Sequence, residues 1–273
     1  MNINLNELKY YILSIGNKNK EDHLKSCLNN FDIKFVKPVL GLDKRQSGAT
    51  GFCRIIDLGV KEQKEKFNPF VILEDDISIF NWEDTITVPK NSDLVYLGAS
   101  RAGMYKEKHC YRVFTSEVED FSNLLRIYNM CSTHAILVCN IKGAMLIQKC
   151  VTEDYYRKRG WDMSLAHMQP HYNIYALKKP LFYQDKKYGG QEENTKIILK
   201  NVDDIKTIKE EFFNTSNYSF ITNVDINNIN NENVIFQGKK EENLIKKNEK
   251  KYTKILMIFM FFVLILFKKI HKF

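Results

Sequence analysis

Apolar residues along this chain come in short runs broken by polar turns. Residues 9–15, KYYILSI, end at Gly16 and predict a buried strand followed by a turn. Leu24, Cys27, Leu28 and Phe31 recur at helical spacing and predict a helix over residues 20–31. DIKFVKPVLGL (32–42) predicts a second strand, and IIDLGVKEQKEKF (55–67) a second helix that stops at Asn68-Pro69. PFVILEDDISIF (69–80), SDLVYLGAS (92–100) and AILVCN (135–140) predict three more strands, and KGAMLIQKCV (142–151) a short helix. Strands alternating with helical segments predict an α/β layer architecture around a mostly parallel sheet. In such sheets ligands gather at the carboxyl ends of strands. Ser14, Glu74 to Asp76, and Gly98 to Ser100 fall at such ends.

The texture changes near residue 191. Residues 1–190 read as the folded domain, and 191–254 as a polar, Asn- and Lys-rich linker. Residues 255–267, ILMIFMFFVLILF, are thirteen apolar residues in a row. At about 1.5 Å per residue a helix of this length spans roughly 20 Å, short of a bilayer core. The flanking Lys254, Lys268 and Lys269 can snorkel and extend it. The expectation is a C-terminal membrane anchor; the other reading is a buried core helix.

The net charge of +8 does little to define the domain, because the lysine excess leads into the apolar tail. That placement suits anionic lipid headgroups better than nucleic acid, and no nucleic-acid partner is expected. The six cysteines include no C-x-x-C pair, which argues against a zinc site. They read as buried free thiols and point to a reducing compartment. Two sequons, at Asn214 and Asn217, matter only in a secretory lumen, and the N-terminus carries no signal-peptide pattern.

The stretch VILEDDISIF places three acids inside an apolar run. On an extended chain Glu74 and Asp76 point the same way and Asp75 points elsewhere. A divalent cation held by Glu74 and Asp76 would offset the repulsion, and all-oxygen sites suit magnesium, manganese or calcium. The plainer reading is a solvated strand end with an aspartate capping a turn.

The order of PVLGLD, a Gly-containing loop GATGFC, VILEDDI, DLVYLGAS, STHAILV and WDMSLAH…ALKKPLFYQ resembles glycosyltransferase family 25, which includes lipooligosaccharide and procollagen galactosyltransferases. The resemblance covers roughly residues 9–185 and is most specific at Leu73-Glu74-Asp75-Asp76 and at Asp162 with Leu165. It implies a GT-A-like α/β/α sandwich whose acidic motif binds manganese or magnesium and a nucleotide-sugar diphosphate. A uridine diphosphate hexose is the implied donor, and a glycan, lipid or protein hydroxyl the acceptor. Family members usually carry Gly-Cys-x-x-Ser-His where this chain has Gly51-Phe52-Cys53-Arg54-Ile55-Ile56, so the Ser-His pair is missing.

The resemblance implies inversion, with one base taking the acceptor proton. Asp162 is the candidate base; its other reading is a helix N-cap. Metal ligands are expected at Glu74 and Asp76, with His167 completing the shell or packed elsewhere. Ser14, Asp43, Gly98 and Ser100 are expected around the donor, Gly98 by permitting its close approach. His134 is expected on the acceptor side. Lys18 and Lys20 either reach a phosphate or lie in a solvated turn, and Trp161 and Tyr183 either stack on a sugar or pack the core. Two other functions compete: a glycoside hydrolase using Glu74 and Asp162, and a non-catalytic binder of nucleotide-sugar or glycan.

Overall fold

The computed structural model describes residues 1–61, 67–105, 108–157 and 160–196. Its strands are β1 (Asn2–Asn4), β2 (Lys9–Leu13), β3 (Asp32–Val36), β4 (Phe70–Glu74), β5 (Ile77–Ile79), β6 (Thr85–Thr87), β7 (Leu94–Tyr96), β8 (Gly103–Tyr105), β9 (Lys108–Cys110), β10 (Thr115–Glu117), β11 (Leu124–Ile127), β12 (Ala135–Val138), β13 (Ile174–Leu177) and β14 (Phe182–Gln184). The helices are α1 (Lys18–Cys27), α2 (Lys44–Lys61), α3 (Ile141–Arg157), α4 (Trp161–Met168) and the short α5 (Glu192–Thr195).

Eight strands form the main sheet in the order β10-β11-β13-β7-β12-β4-β2-β3. The sheet is mixed, not mostly parallel. Of its seven neighbouring pairs, β2–β3, β2–β4 and β13–β7 are parallel and the other four antiparallel. Two features lie behind the difference. β12 runs antiparallel between β4 and β7, and the hairpin β10–β11 adds an edge that three- and four-residue strands leave without a readable period. FVIL in β4, AILV in β12 and LVY in β7 are buried on both faces, hence their unbroken apolar character. Leu24 and Leu28, from α1 and its cap, pack on the face carrying Tyr10, Ile12, Val71 and Leu73. α2 covers the opposite face, where Gly59 meets the Phe70 ring.

Two further expectations change. PFVILEDDISIF is not one strand: Asp75 and Asp76 form a turn, and β5 beyond it leaves the main sheet to pair with β14. GATGFC is not a loop. It lies inside α2, which starts at Lys44 and is capped by Asp43 Oδ1, accepting from the Arg45 and Gln46 amides at 3.1 Å. The glycines that suggested a loop serve packing. A Cβ on Gly51 would sit 2.1 Å from Leu13 Cδ1, and one on Gly59 would sit 2.5 Å from the Phe70 ring. The segment 197–254 and the apolar run 255–267 lie outside the described residues. Among the described residues no helix is long and apolar enough to cross a membrane.

Within α2, Gly48 has open space where a Cβ would stand. Gly48→Ala should therefore raise stability by about 1 kcal/mol through helix propensity. Gly59→Ala should lower it by roughly 1–3 kcal/mol through overpacking against Phe70. Chemical denaturation of the two variants checks this; the same sign for both would refute the packing account.

Candidate functional site

The main sheet gathers its polar chemistry on one edge. β2, β4 and β7 end there and β12, running the other way, begins there. Leu13 of β2 is in register with Glu74 of β4, and the Glu74 amide donates to the His134 carbonyl at 3.0 Å. The turn that follows holds Asp75 and Asp76. Pairing of β5 with β14 then brings Gln184 back to it, and the Asp185 amide donates to the Asp76 carbonyl at 2.6 Å.

The three acids are half-buried and have different partners. Asp75 forms an ion pair with Lys20 of α1 at 2.7 Å. Glu74 accepts hydrogen bonds from the Thr133 hydroxyl and from Gln184 Nε2, the latter at 3.2 Å. Asp76 Oδ1 is buried and has no hydrogen-bond partner. Burial first, and the Asp76 charge second, push Glu74 up to about 7, with the Thr133 bond opposing. Burial also raises Asp76 against the pull of Lys20. The Asp76 charge thus acts on Glu74, although a turn and not an extended chain joins them.

A cavity of about 360 Å³, within the range of small-molecule sites, is lined by both residues that hydrogen-bond Glu74. Ser100, Thr133, His134, Asp162 and Gln184 line it, as do His109, Cys110 and Tyr111 from β9 and its end. Asp162 sits in the first turn of α4, with Gly160 at the cap position, so it is not itself the N-cap. Burial raises its carboxyl, while the Met163 amide and His109 pull it down. His134 is buried; its Nδ1 lies 2.9 Å from Ser132 Oγ and its Nε2 has no partner. Burial lowers it to about 4, so its ring is neutral at physiological pH.

The cavity brings together Ser100, His134 and Asp162; Glu74 is bonded to two of its lining residues, Thr133 and Gln184, Asp76 is not among the lining residues, and the remaining candidates have other roles. Ser14 is fully buried; its hydroxyl donates to Glu21 at 2.9 Å and accepts from the Gly16 amide at 3.0 Å. Asp43 caps α2. The space left by Gly98 is filled from within, since a Cβ there would lie 2.0 Å from His134 Nε2. His167 is not among the residues lining the cavity. Among the described residues no group of three or more His, Cys, Asp or Glu stands as a metal site, so the set Glu74, Asp76 and His167 is not assembled. Lys20 meets Asp75, not solvent. Trp161 is buried and packs on Phe52, which favours its core reading, whereas Tyr183 is half-buried and its ring partner Phe80 is exposed.

Sequence reasoning misses Thr133, Gln184, His109 and Tyr111. Thr133 neighbours a nominated histidine and Gln184 ends a segment already singled out; the other two carry no local signal. A clasp outside the cavity is also invisible in the sequence. His23 Nε2 meets Ser78 Oγ at 2.8 Å, Ser78 donates to Asp185 at 2.8 Å, and the His23 ring stacks on Tyr188 with centroids 4.1 Å apart. No model of a known protein family matches the chain, and no curated protein matches it.

Two opposing pH dependences follow. His134, lowered from 6.5 to about 4, contributes stability that is present above pH 6.5 and is lost as pH falls through about 4. Glu74, raised from 4.5 to about 7, favours the fold below pH 4.5, a contribution lost as pH rises through about 7. Glu74→Gln removes the second slope. Its melting temperature should therefore climb with pH between 4.5 and 6.5 more steeply than that of the wild type. The expected divergence is about 2 kcal/mol across that window. Parallel curves would show that Glu74 titrates normally.

Proposed function

We propose that the chain is a metal-dependent glycosyltransferase that moves a hexose from a nucleotide-diphosphate sugar to an acceptor hydroxyl with inversion. The observation that carries this reading is the half-buried Glu74, raised in part by the charges of Asp76 and Asp162 and held by Thr133 and Gln184, which with Asp162 line one cavity. The unpartnered, buried Asp76 Oδ1 and the raised Glu74 are what a cation site looks like without its counter-charge. Two carboxylates and the oxygens of a diphosphate make a donor set that suits manganese or magnesium. When bound, such an ion supplies positive charge against a departing nucleoside diphosphate.

The protein's own groups do the rest. Thr133 and Gln184 fix the Glu74 carboxylate from two sides. Lys20 pairs with Asp75, and its charge also draws on Asp76. Asp162, made more basic by burial, accepts the proton of the attacking hydroxyl within the cavity. His134 stays neutral and, packed against Gly98, shapes the wall between β7 and β12. The acceptor is a glycan, lipid or protein. Anchoring through residues 255–267 belongs to the same reading, with the catalytic domain in a reducing compartment.

A thermal-shift screen of uridine, guanosine and cytidine diphosphate sugars, with and without manganese, tests this. A manganese-dependent stabilisation by at least one sugar nucleotide is expected. Asp76→Asn should abolish it, and Asp75→Asn should reduce it less, because Asp75 is engaged by Lys20. Asp162→Asn should keep the shift while transfer falls by about 100-fold or more. A full manganese response in Asp76→Asn would overturn the metal assignment. Glycan hydrolysis without any nucleotide would favour the hydrolase.

A further inference from the structure

Ile15, Leu40, Phe80, Tyr111 and Tyr156 are the large apolar side chains left exposed among the described residues. Single exposed apolar residues are ordinary on a protein surface. Tyr111 differs because it is 86% exposed and also lines the cavity that holds Asp162. Its position follows from strand register. Gly103 of β8 pairs with Cys110 of β9 on one side and bridges Met130 on the other. The Cys131 amide donates to the Ala102 carbonyl at 2.9 Å, and Tyr111 follows the last residue of β9. All three line the cavity. An exposed aromatic residue therefore shares the cavity wall with two small ones, with His109 and Asp162 supplying polar atoms nearby.

This combination matches a pyranose, which offers a face of C–H bonds to an aromatic ring and a rim of hydroxyls to polar groups. We propose that Tyr111 is the stacking platform for a pyranose of the acceptor, which makes the acceptor a sugar and not a side-chain hydroxyl of a protein. The word acceptor rests on the transferase reading; the stacking itself does not. Burying one face of the phenol releases water from apolar surface on both partners, and the ring loses little conformational freedom because only two torsions are fixed. Asp162 lines the same cavity, so a hydroxyl of the stacked sugar lies on the side where a base is available.

Saturation-transfer NMR on the full chain tests the proposal with methyl β-galactopyranoside, methyl β-glucopyranoside and methyl α-mannopyranoside as probes. At least one should receive saturation chiefly on the protons of one ring face. Tyr111→Ala should weaken that glycoside about tenfold, and Tyr111→Phe should stay within about twofold of the wild type, because stacking does not use the hydroxyl. An octyl glycoside of the same sugar separates the sources: tighter binding than the methyl form assigns a glycolipid headgroup, and equal binding a soluble glycan. Wild-type affinity in Tyr111→Ala, or no saturation of any probe by the wild-type chain, would overturn the proposal. Failure here is distinguishable from failure of the transferase reading. Tyr111-dependent glycoside binding without any nucleotide-sugar response sinks only the transferase, and a nucleotide-sugar response without Tyr111-dependent binding sinks only the platform.

Discussion

The arrangement around this sheet edge turns on the burial of Glu74 and Asp76, to which the Asp76 charge adds at Glu74. A carboxylate taken out of water without a full counter-charge costs several kcal/mol. A hydrogen bond from a neutral donor such as Thr133 or Gln184 returns about 1 kcal/mol each. Neutral donors therefore orient the carboxylates without cancelling their charge. Lys20 cancels one acid of the three, and that acid is Asp75. Burial first raises both remaining acids; the Asp76 charge adds to the rise of Glu74, while Lys20 pulls Asp76 back down.

Convergence at this edge depends on β12, which runs against its neighbours on both sides. Because β12 is antiparallel to β4 and β7, the residues before it reach the same edge as the residues after them. Thr133 can then bond Glu74, and His134 can fill the space above Gly98. In an all-parallel sheet the Ser132–His134 segment would lie at the far edge, and neither contact would form. The departure from the expected sheet is thus what assembles half of the site.

The sequence makes legible what local pattern controls. β2, β4, β7 and β12 are continuous apolar runs because they are buried on both faces, and the acid triplet stands out against one of them. Asp162 is visible because it follows Trp161 at a helix start. What tertiary packing controls is hidden. Gly48 and Gly51 read as a loop, yet Gly51 sits in a helix because Leu13 needs its space. Ser14 and Asp43 sit where ligands gather in related architectures, but Glu21 and the first turn of α2 claim their side chains. Between residues 100 and 134 the strands are too short for alternation to show, so His109 and Tyr111 are located by register alone.

The clasp formed by His23, Ser78 and Asp185 bears on how this edge behaves over time. It ties α1 to both strands of the β5–β14 ribbon, and the Asp75–Asp76 turn lies between the tied points. Neighbouring acids in a slack loop would swing apart and let water separate them. Held from both ends, these two have no such escape, so the discomfort of burying them together is settled when the chain folds.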